Sequence, residues 1–347
     1  MAAIYTGGSA SVLYGYEAAA TFGTASTAIT NIFGMNQKVT SLSLNTGQMP
    51  LNKLGQVEVS KFAYGQQQGS VNIGFVWDSE KSDKIFKALF GAPSSASNVD
   101  TYPASSTKPF GASSGGVAVS PSSPLSITTQ IHQIIANGSN TLLDRTLKGC
   151  VVQSLGLSTS IGEVLNATVD MAFAREDTTS VEASSGFVAQ TAAGKDQATT
   201  PYTFAHGVLK TSTGGDAIAE IAEVQDVDIT MATNAELLWG LGDHHAKSVF
   251  RKIFDVTGRF RTSLKNGDMI QAVIDQARVA GTEGMNAADV SLELKFEDVG
   301  IGKSLTIELG GVSITDHSTS GIEPAEPIFE EVNLKAKSVR IVSDHTA

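Results

Sequence analysis

Apolar residues recur along this chain at two spacings, and the order in which those spacings appear is repeated. Val39, Leu42 and Leu44 begin one strand-like segment; Val224, Val227 and Ile229 begin another with the same intervals. Each is followed by a Leu-Gly pair, Leu54-Gly55 and Leu241-Gly242, and then by a glycine-led alternation. The first alternation is Gly69-x-Val71-x-Ile73-x-Phe75-x-Trp77 and the second Gly258-x-Phe260-x-Thr262-x-Leu264. A period of two places alternate side chains on one face of a sheet. The spacing then becomes helical. Ile85, Phe86, Leu89 and Phe90 follow Asp83, and Met269, Ile270, Val273 and Ile274 follow Asp268. Both sets form one narrow stripe on a helix, suited to packing on a sheet. Asp78 or Ser79, and Asn266 or Asp268, are the expected N-caps, with Gly91 as a stop.

The match continues downstream. Leu125-x-Ile127-x-Thr129-x-Ile131 corresponds to Val290-x-Leu292-x-Leu294-x-Phe296, and Leu147-Lys148-Gly149-Cys150-Val151 to Leu309-Gly310-Gly311-Val312. The closing strand, with Leu165, Ala167, Val169, Met171 and Phe173, has its partner in Val332, Leu334, Ala336, Val339 and Ile341. Parity changes after Ala336 and predicts a bulge there. Amphipathic strands resemble one another by chance, which explains one or two matching segments but poorly explains a shared order. The expectation is a mainly β protein: two tandem rolled antiparallel β-sandwich or barrel domains of 36–177 and 221–347, each flanked by a short helix. A Ser/Pro-rich insertion at 92–124 interrupts the first domain. A linker at 178–220 joins the two, and Pro201 to Phe204 within it have the composition of an edge strand. Residues 1–35 read as an N-terminal arm that orders on a neighbouring subunit.

Composition narrows the function. The chain has 347 residues, enough for two cores, with 41% apolar and 17% charged residues, a balance of sheets and loops. A formal net charge of −11 argues against a protein that grips nucleic acid through clustered cations. Arg251-Lys252 with Arg259 and Arg261 is the one basic concentration, and reads as a solvated strand face or a subunit contact. No apolar run is long enough to span a bilayer and the first residues are unlike a signal peptide, so folding in a reducing cytoplasm is expected. The single cysteine, Cys150, lies beside Val151 and Val152 and reads as a buried hydrophobe.

Candidate chemistry is sparse. Asp226 and Asp228 share a strand face in the manner of metal-binding carboxylates, but Val227 and Ile229 opposite them favour an ordinary half-exposed strand. His244-His245 and Glu330-Glu331 are adjacent pairs whose side chains diverge, with no third ligand in step. The glycines form no phosphate loop. The expectation is therefore no catalytic residue, no metal site, no cofactor and no enzyme.

The residues do resemble a known family. Glu223-Val-Gln-Asp-Val-Asp-Ile-Thr-Met-Ala-Thr-Asn-Ala-Glu-Leu237, Val256-Thr-Gly-Arg-Phe-Arg-Thr-Ser-Leu264 with the helix at 268–276, and Ile328-Phe-Glu-Glu-Val-Asn-Leu-Lys-Ala336 are similar to the tail tube proteins of tailed bacteriophages and archaeal tailed viruses. The tandem copy, the insertion and the arm depart from the family pattern. The resemblance implies sheets joined edge to edge into an inner barrel, rings stacked into a hollow tube, and viral DNA passing through without specific binding. It also implies a virion location after assembly in the host cytoplasm, with tape measure, terminator and baseplate or tip proteins as partners. Two copies per chain imply trimeric, pseudo-hexameric rings, with hexameric rings as the alternative. A competing expectation is a tandem β-sandwich carbohydrate- or receptor-binding adhesion protein, for which Trp77 and Trp239 are the only tryptophans.

Overall fold

The computed structural model describes residues 10–18, 22–26, 29–51, 61–104, 125–137, 139–180, 200–213, 219–221, 223–263, 290–298, 300, 302–320 and 328–344. Within them the chain is mainly β, with one α-helix and short 3-10 turns. The N-terminal half contains β1 (Ala10–Tyr16), β2 (Asn31–Ile32), β3 (Met35–Asn45), β4 (Gln48–Leu51), β5 (Lys61–Tyr64), β6 (Gln68–Val76), α1 (Ile85–Phe90), β7 (Ser94–Ala96), β8 (Val99–Tyr102), β9 (Ile127–Asn137), β10 (Ser139–Ser160), β11 (Asn166–Phe173) and β12 (Arg175–Ser180). The C-terminal half contains β13 (Gly207–Thr213), β14 (Ala219–Glu220), β15 (Val224–Ala232), β16 (Glu236–Leu238), β17 (Ser248–Phe250), β18 (Asp255–Ser263), β19 (Val290–Asp298), β20 (Lys303–Thr319) and β21 (Phe329–Asp344).

The two halves have the same strand order, all antiparallel. In the first, β3-β6-β11-β10 form one layer and β2-β1-β9-β10 another. In the second, β15-β18-β21-β20 and β14-β13-β19-β20 do the same. The long strands β10 and β20 pass from one layer to the other through a kink. Two residues of β10 oppose one of β9 between Leu147 and Cys150, and two of β20 oppose one of β19 between Leu309 and Val312. Gly149 and Gly311 sit at these bulges with φ of 63° and 58°, a region where a Cβ is strained. A second irregularity follows in each strand, at Val152/Ser154 and at Ile314/Asp316.

These pairings revise several expectations. Ala10–Tyr16, expected to order on a neighbour, pair along their length with β9 of their own chain, as β13 pairs with β19. The insertion at 92–124 contributes the β7–β8 hairpin, whose second strand joins β21; its remainder, 105–124, lies outside the described residues. The linker at 178–220 contributes the end of β12 and all of β13 and β14, while Pro201 and Thr203 make only isolated bridges, to Asp78 and Val164. Leu54-Gly55 and the helix expected at 268–276 lie outside the described residues. Strand correspondence also slides: Ile127 matches Val290 and Gly69 matches Val256, one pleat from the expected alignment, and the closing strands differ by two pleats. A period-two pattern is unchanged by a slide of two residues, so alternation fixes the face and leaves the register to the bulges. The predicted bulge after Ala336 lies on the partner strand β20, and Lys337 covers Gly311 at the point where parity changes.

One continuous core fills the space between the layers in both halves. Val71, Ile73, Phe75 and Trp77 are buried at alternate positions, as the sequence pattern requires. Each such side chain contributes roughly 1.5–3 kcal/mol relative to exposure. The Trp77 ring meets Phe86 of α1 at 5.2 Å, so the helical stripe closes the end of this layer pair. Gly91 stops α1 with φ of 89°. Asp78 does not cap α1: it accepts from the Glu80 amide at 2.7 Å, in the turn that leads into the 3-10 turn at Ser82–Lys84 preceding the helix. Gly69 is opposite Phe173, and a Cβ there would lie 2.0 Å from the Phe173 ring tip. The alternating run begins on glycine because an aromatic ring covers that backbone.

Candidate functional site

Surface features concentrate on one layer. β3-β6-β11-β10-β15-β18-β21-β20 form a continuous eight-stranded antiparallel sheet, joined at its centre by the pairing of β10 with β15 from Ser154↔Ala232 to Ser160↔Asp226. The apolar face, with Leu155, Leu157, Val169, Met171, Ile229, Phe260 and Leu334, is buried against the outer strands. The other face is polar. In the N-terminal half it shows Ser70, Asn72, Ser154 and Asp170; Asp170 accepts hydrogen bonds from Asn72 and, at 2.9 Å, from Ser154. Ser41, Ser70, Asn72, Ser154, Asp170 and Asn234 contribute to a shallow groove of about 350 Å³ on this face.

In the C-terminal half the same face is charged but neutralised. Arg259 lies 3.4 Å from Asp226 and 3.6 Å from Glu331, and Lys335 lies 3.4 Å from Asp255. The Arg261 guanidinium stacks 4.6 Å from the centre of the Phe329 ring. Asp226 and Asp228 do share a face, as their spacing predicted. Burial, with Asp226 adding to it, raises the Asp228 carboxyl above its ordinary value against the opposing pull of Arg259. Exposed pairs of this kind add little stability each. Their effect here is to leave Arg259 and Lys335 engaged with carboxylates.

The other residues singled out by sequence disperse. His244 approaches the Gly65 carbonyl at 3.2 Å through Nδ1. Glu330 is buried and bonded to His317 at 2.9 Å, whereas its neighbour Glu331 reaches Arg259. Arg251 donates to the Ala88 carbonyl of α1 at 3.3 Å, and burial lowers its guanidinium to about 10. Lys252 pairs with Glu236. Cys150 is fully buried and burial pushes its thiol up to about 12. Trp77 is buried, and Trp239 is half-buried against the cluster of Val151 and Ala174. Among the described residues no group of three His, Cys, Asp or Glu side chains is placed to hold a metal ion.

Sequence reasoning missed Glu17. Its buried carboxylate accepts from the Gly23 amide at 2.9 Å and the Ser126 hydroxyl at 2.7 Å through Oε2, and from the Thr128 hydroxyl at 2.9 Å and the Gly149 amide at 2.8 Å through Oε1. It thereby ties the end of β1 to the kink of β10. No local motif announces this role; its one signal is an acidic residue closing the apolar run Val12-Leu13-Tyr14.

The edges of the eight-stranded sheet complete the picture. Among the described residues β3 pairs only with β6, and Asp316 to Thr319 of β20 pair only with β21. Beside β3, the β4–β5 hairpin projects with Met49, Phe62 and Tyr64 exposed. The corresponding β16–β17 hairpin is held by the first half: Thr233 donates to the Gln153 carbonyl at 2.8 Å and the Val152 carbonyl at 2.7 Å, and Ala235, Leu237 and Ala246 pack with Val151 and Ala174. A search of curated proteins finds no match. The family model described as phage tail tube protein matches residues 7–336, nearly the whole chain. An antiparallel β protein with a long two-edged sheet, matched over that length, belongs to the phage tail tube protein family and is a structural component of the virion tail.

Proposed function

We propose that this chain is a fused pair of tube subunits, three of which close a pseudo-hexameric ring, and that stacked rings form the hollow tail tube through which viral DNA is delivered. The observation that carries this reading is the seam between β10 and β15. It joins the last strand of one four-stranded layer to the first strand of the next. The same two edges, Asp316 to Thr319 of β20 and the length of β3, stand at the ends of the eight-stranded sheet. Exposed strand edges are ready-made templates for pairing, and closure removes them. Transferring the β10–β15 register to these edges through the matching strand orders places Asn45 opposite Asp316 and Ser43 opposite Ser318 of the next chain. Three eight-stranded sheets then close one inner wall with the polar face toward the pore.

That face suits a conduit. Each cation free to pair with a phosphate adds affinity and salt-dependent drag. Here Arg259 and Lys335 already face carboxylates, and the N-terminal half offers hydroxyls, amides and Asp170 with the exposed Lys38. The role is structural, with partners at the ends of the tube drawn from the other tail proteins.

A disulfide test addresses ring closure. Gly156 and Thr230, the in-chain counterparts of Ser318 and Ser43, lie opposite each other, and a Cβ on Gly156 would be 3.7 Å from the Thr230 hydroxyl. Ser43→Cys with Ser318→Cys is expected to give covalent dimers and closed trimers on mild oxidation of assembled protein. Monomers alone, from protein that does assemble, would refute the proposed closure.

A further inference from the structure

The two hairpins beside the first strands are equivalent in position but not in surroundings. At β16–β17, Leu237 and the Ala235 that leads into β16 are 7% and 3% exposed because they rest on Val151 and Ala174 beside the Gly149 kink. In β4–β5, Phe62 and Tyr64 are 57% and 64% exposed. Pairing of Gln48 with Tyr64 and of Pro50 with Phe62 puts these four side chains on one face. By strand position that face is the counterpart of the one carrying Ala235 and Leu237.

The seat is also repeated. Ser313 and Lys337 occupy, beside Gly311, the places of Val151 and Ala174 beside Gly149. Both are exposed, and the Lys337 stem lies directly over Gly311, within 2.8 Å of where a Cβ would stand. The chemistry changes in step on the two sides. Position for position, a face of Ala235, Leu237, Val249 and Arg251 over a Val and Ala seat becomes a face of Gln48, Pro50, Phe62 and Tyr64 over a seat of Ser313 and the Lys337 stem, so the aromatic pair is gained where the seat gains the lysine. A lysine stem covers apolar surface while its ammonium is attracted to an aromatic face.

We propose that the Pro50, Phe62 and Tyr64 face of the β4–β5 hairpin docks on Ser313 and Lys337 of a second copy of this chain. This rests on the ring reading and adds to it a lateral clasp outside the strand-to-strand seam. The clasp makes each inter-chain junction the equivalent of the junction inside the chain. An isolated two-stranded hairpin is marginal in water, and covering one of its faces removes that weakness.

The test is a second disulfide pair in the full chain, run in parallel with Ser43→Cys/Ser318→Cys. Gln48→Cys with Ser313→Cys replaces the counterparts of Ala235 and Val151, which share one apolar cluster. Native Cys150 is buried and does not compete. Oxidation is expected to link neighbouring chains through both pairs, and Phe62→Ser with Tyr64→Ser is expected to raise the concentration needed for assembly at least tenfold with the unfolding temperature of the dispersed chain unchanged. Linking through the 43/318 pair without the 48/313 pair, or unaltered assembly of the Phe62/Tyr64 variant, would overturn the clasp and leave the ring standing. Failure of both pairs would overturn the ring and the clasp with it.

Discussion

Replacing Glu17 with glutamine is the most demanding test of how the sheet wall is held in place. The change is nearly isosteric and removes one charge. Each carboxylate oxygen of Glu17 accepts from one backbone amide and one hydroxyl, so whichever oxygen becomes an amino group then faces a backbone N–H, either Gly23 or Gly149. Two donors meet, and a buried N–H is orphaned at a cost of about 1–3 kcal/mol. The remaining bonds lose their charge assistance, which roughly halves their strength. Rotation of the side chain does not help, since both oxygens have an amide partner. The expected loss is about 2–4 kcal/mol, or several degrees in unfolding temperature at about 2–4 °C per kcal/mol for a domain of 150–250 residues. Chemical unfolding of the dispersed chain measures it directly. A change below about 0.5 kcal/mol, the level of an ordinary surface substitution, would show that the carboxylate does not anchor the kink.

Other outcomes follow from particular contacts. Gly69→Ala places a Cβ against the Phe173 ring and is expected to cost about 1–3 kcal/mol by overpacking, read by denaturant titration. For Asp228 the folded carboxyl is raised, so protons bind the folded chain more readily than the unfolded one. The group therefore lowers stability at neutral pH, and that penalty disappears once pH falls below the ordinary carboxylate value of about 4. Asp228→Asn is expected to raise the unfolding temperature at pH 7 with the gain vanishing toward pH 3; a gain that grows on acidification contradicts the assignment. Cys150, buried and pushed up to about 12, is expected to resist thiol reagents at pH 8 in the native protein and to react at once in denaturant.

The alternations that place Val71 to Trp77, Val169 to Phe173 and Val227 to Met231 on one buried face are legible in the sequence, because pleat parity and burial are the same signal. The α1 stripe and its Gly91 stop are legible for the same kind of reason. The pairing of Leu147–Val151 with Leu309–Val312 carried more than it first suggested, since both are the kinks that send one strand through two layers. What sequence left obscure lies in long-range pairing. β1 and β13 are short and mixed in polarity, and only their corresponding partners, β9 and β19, reveal them as equivalent. β8 reads as loop because its stability comes from joining β21, far along the chain. Glu17 needs four donors from three separate segments, and nothing local brings them together. Asp226 and Arg259 show the converse: their strand faces were evident, but only the register brought Arg259 against Asp226 and Glu331 on the neighbouring strands.

The central claim is that one chain supplies two adjacent places of a ring wall. An end-on electron cryomicroscopy reconstruction of the assembled tube, computed without imposed symmetry, tests it most directly. The expected result is a six-lobed ring around an open pore, built from three chains, with true threefold symmetry and a continuous inner sheet that crosses each chain junction at β3 and β20. Six chains per ring, or an inner wall interrupted at those edges, would contradict it.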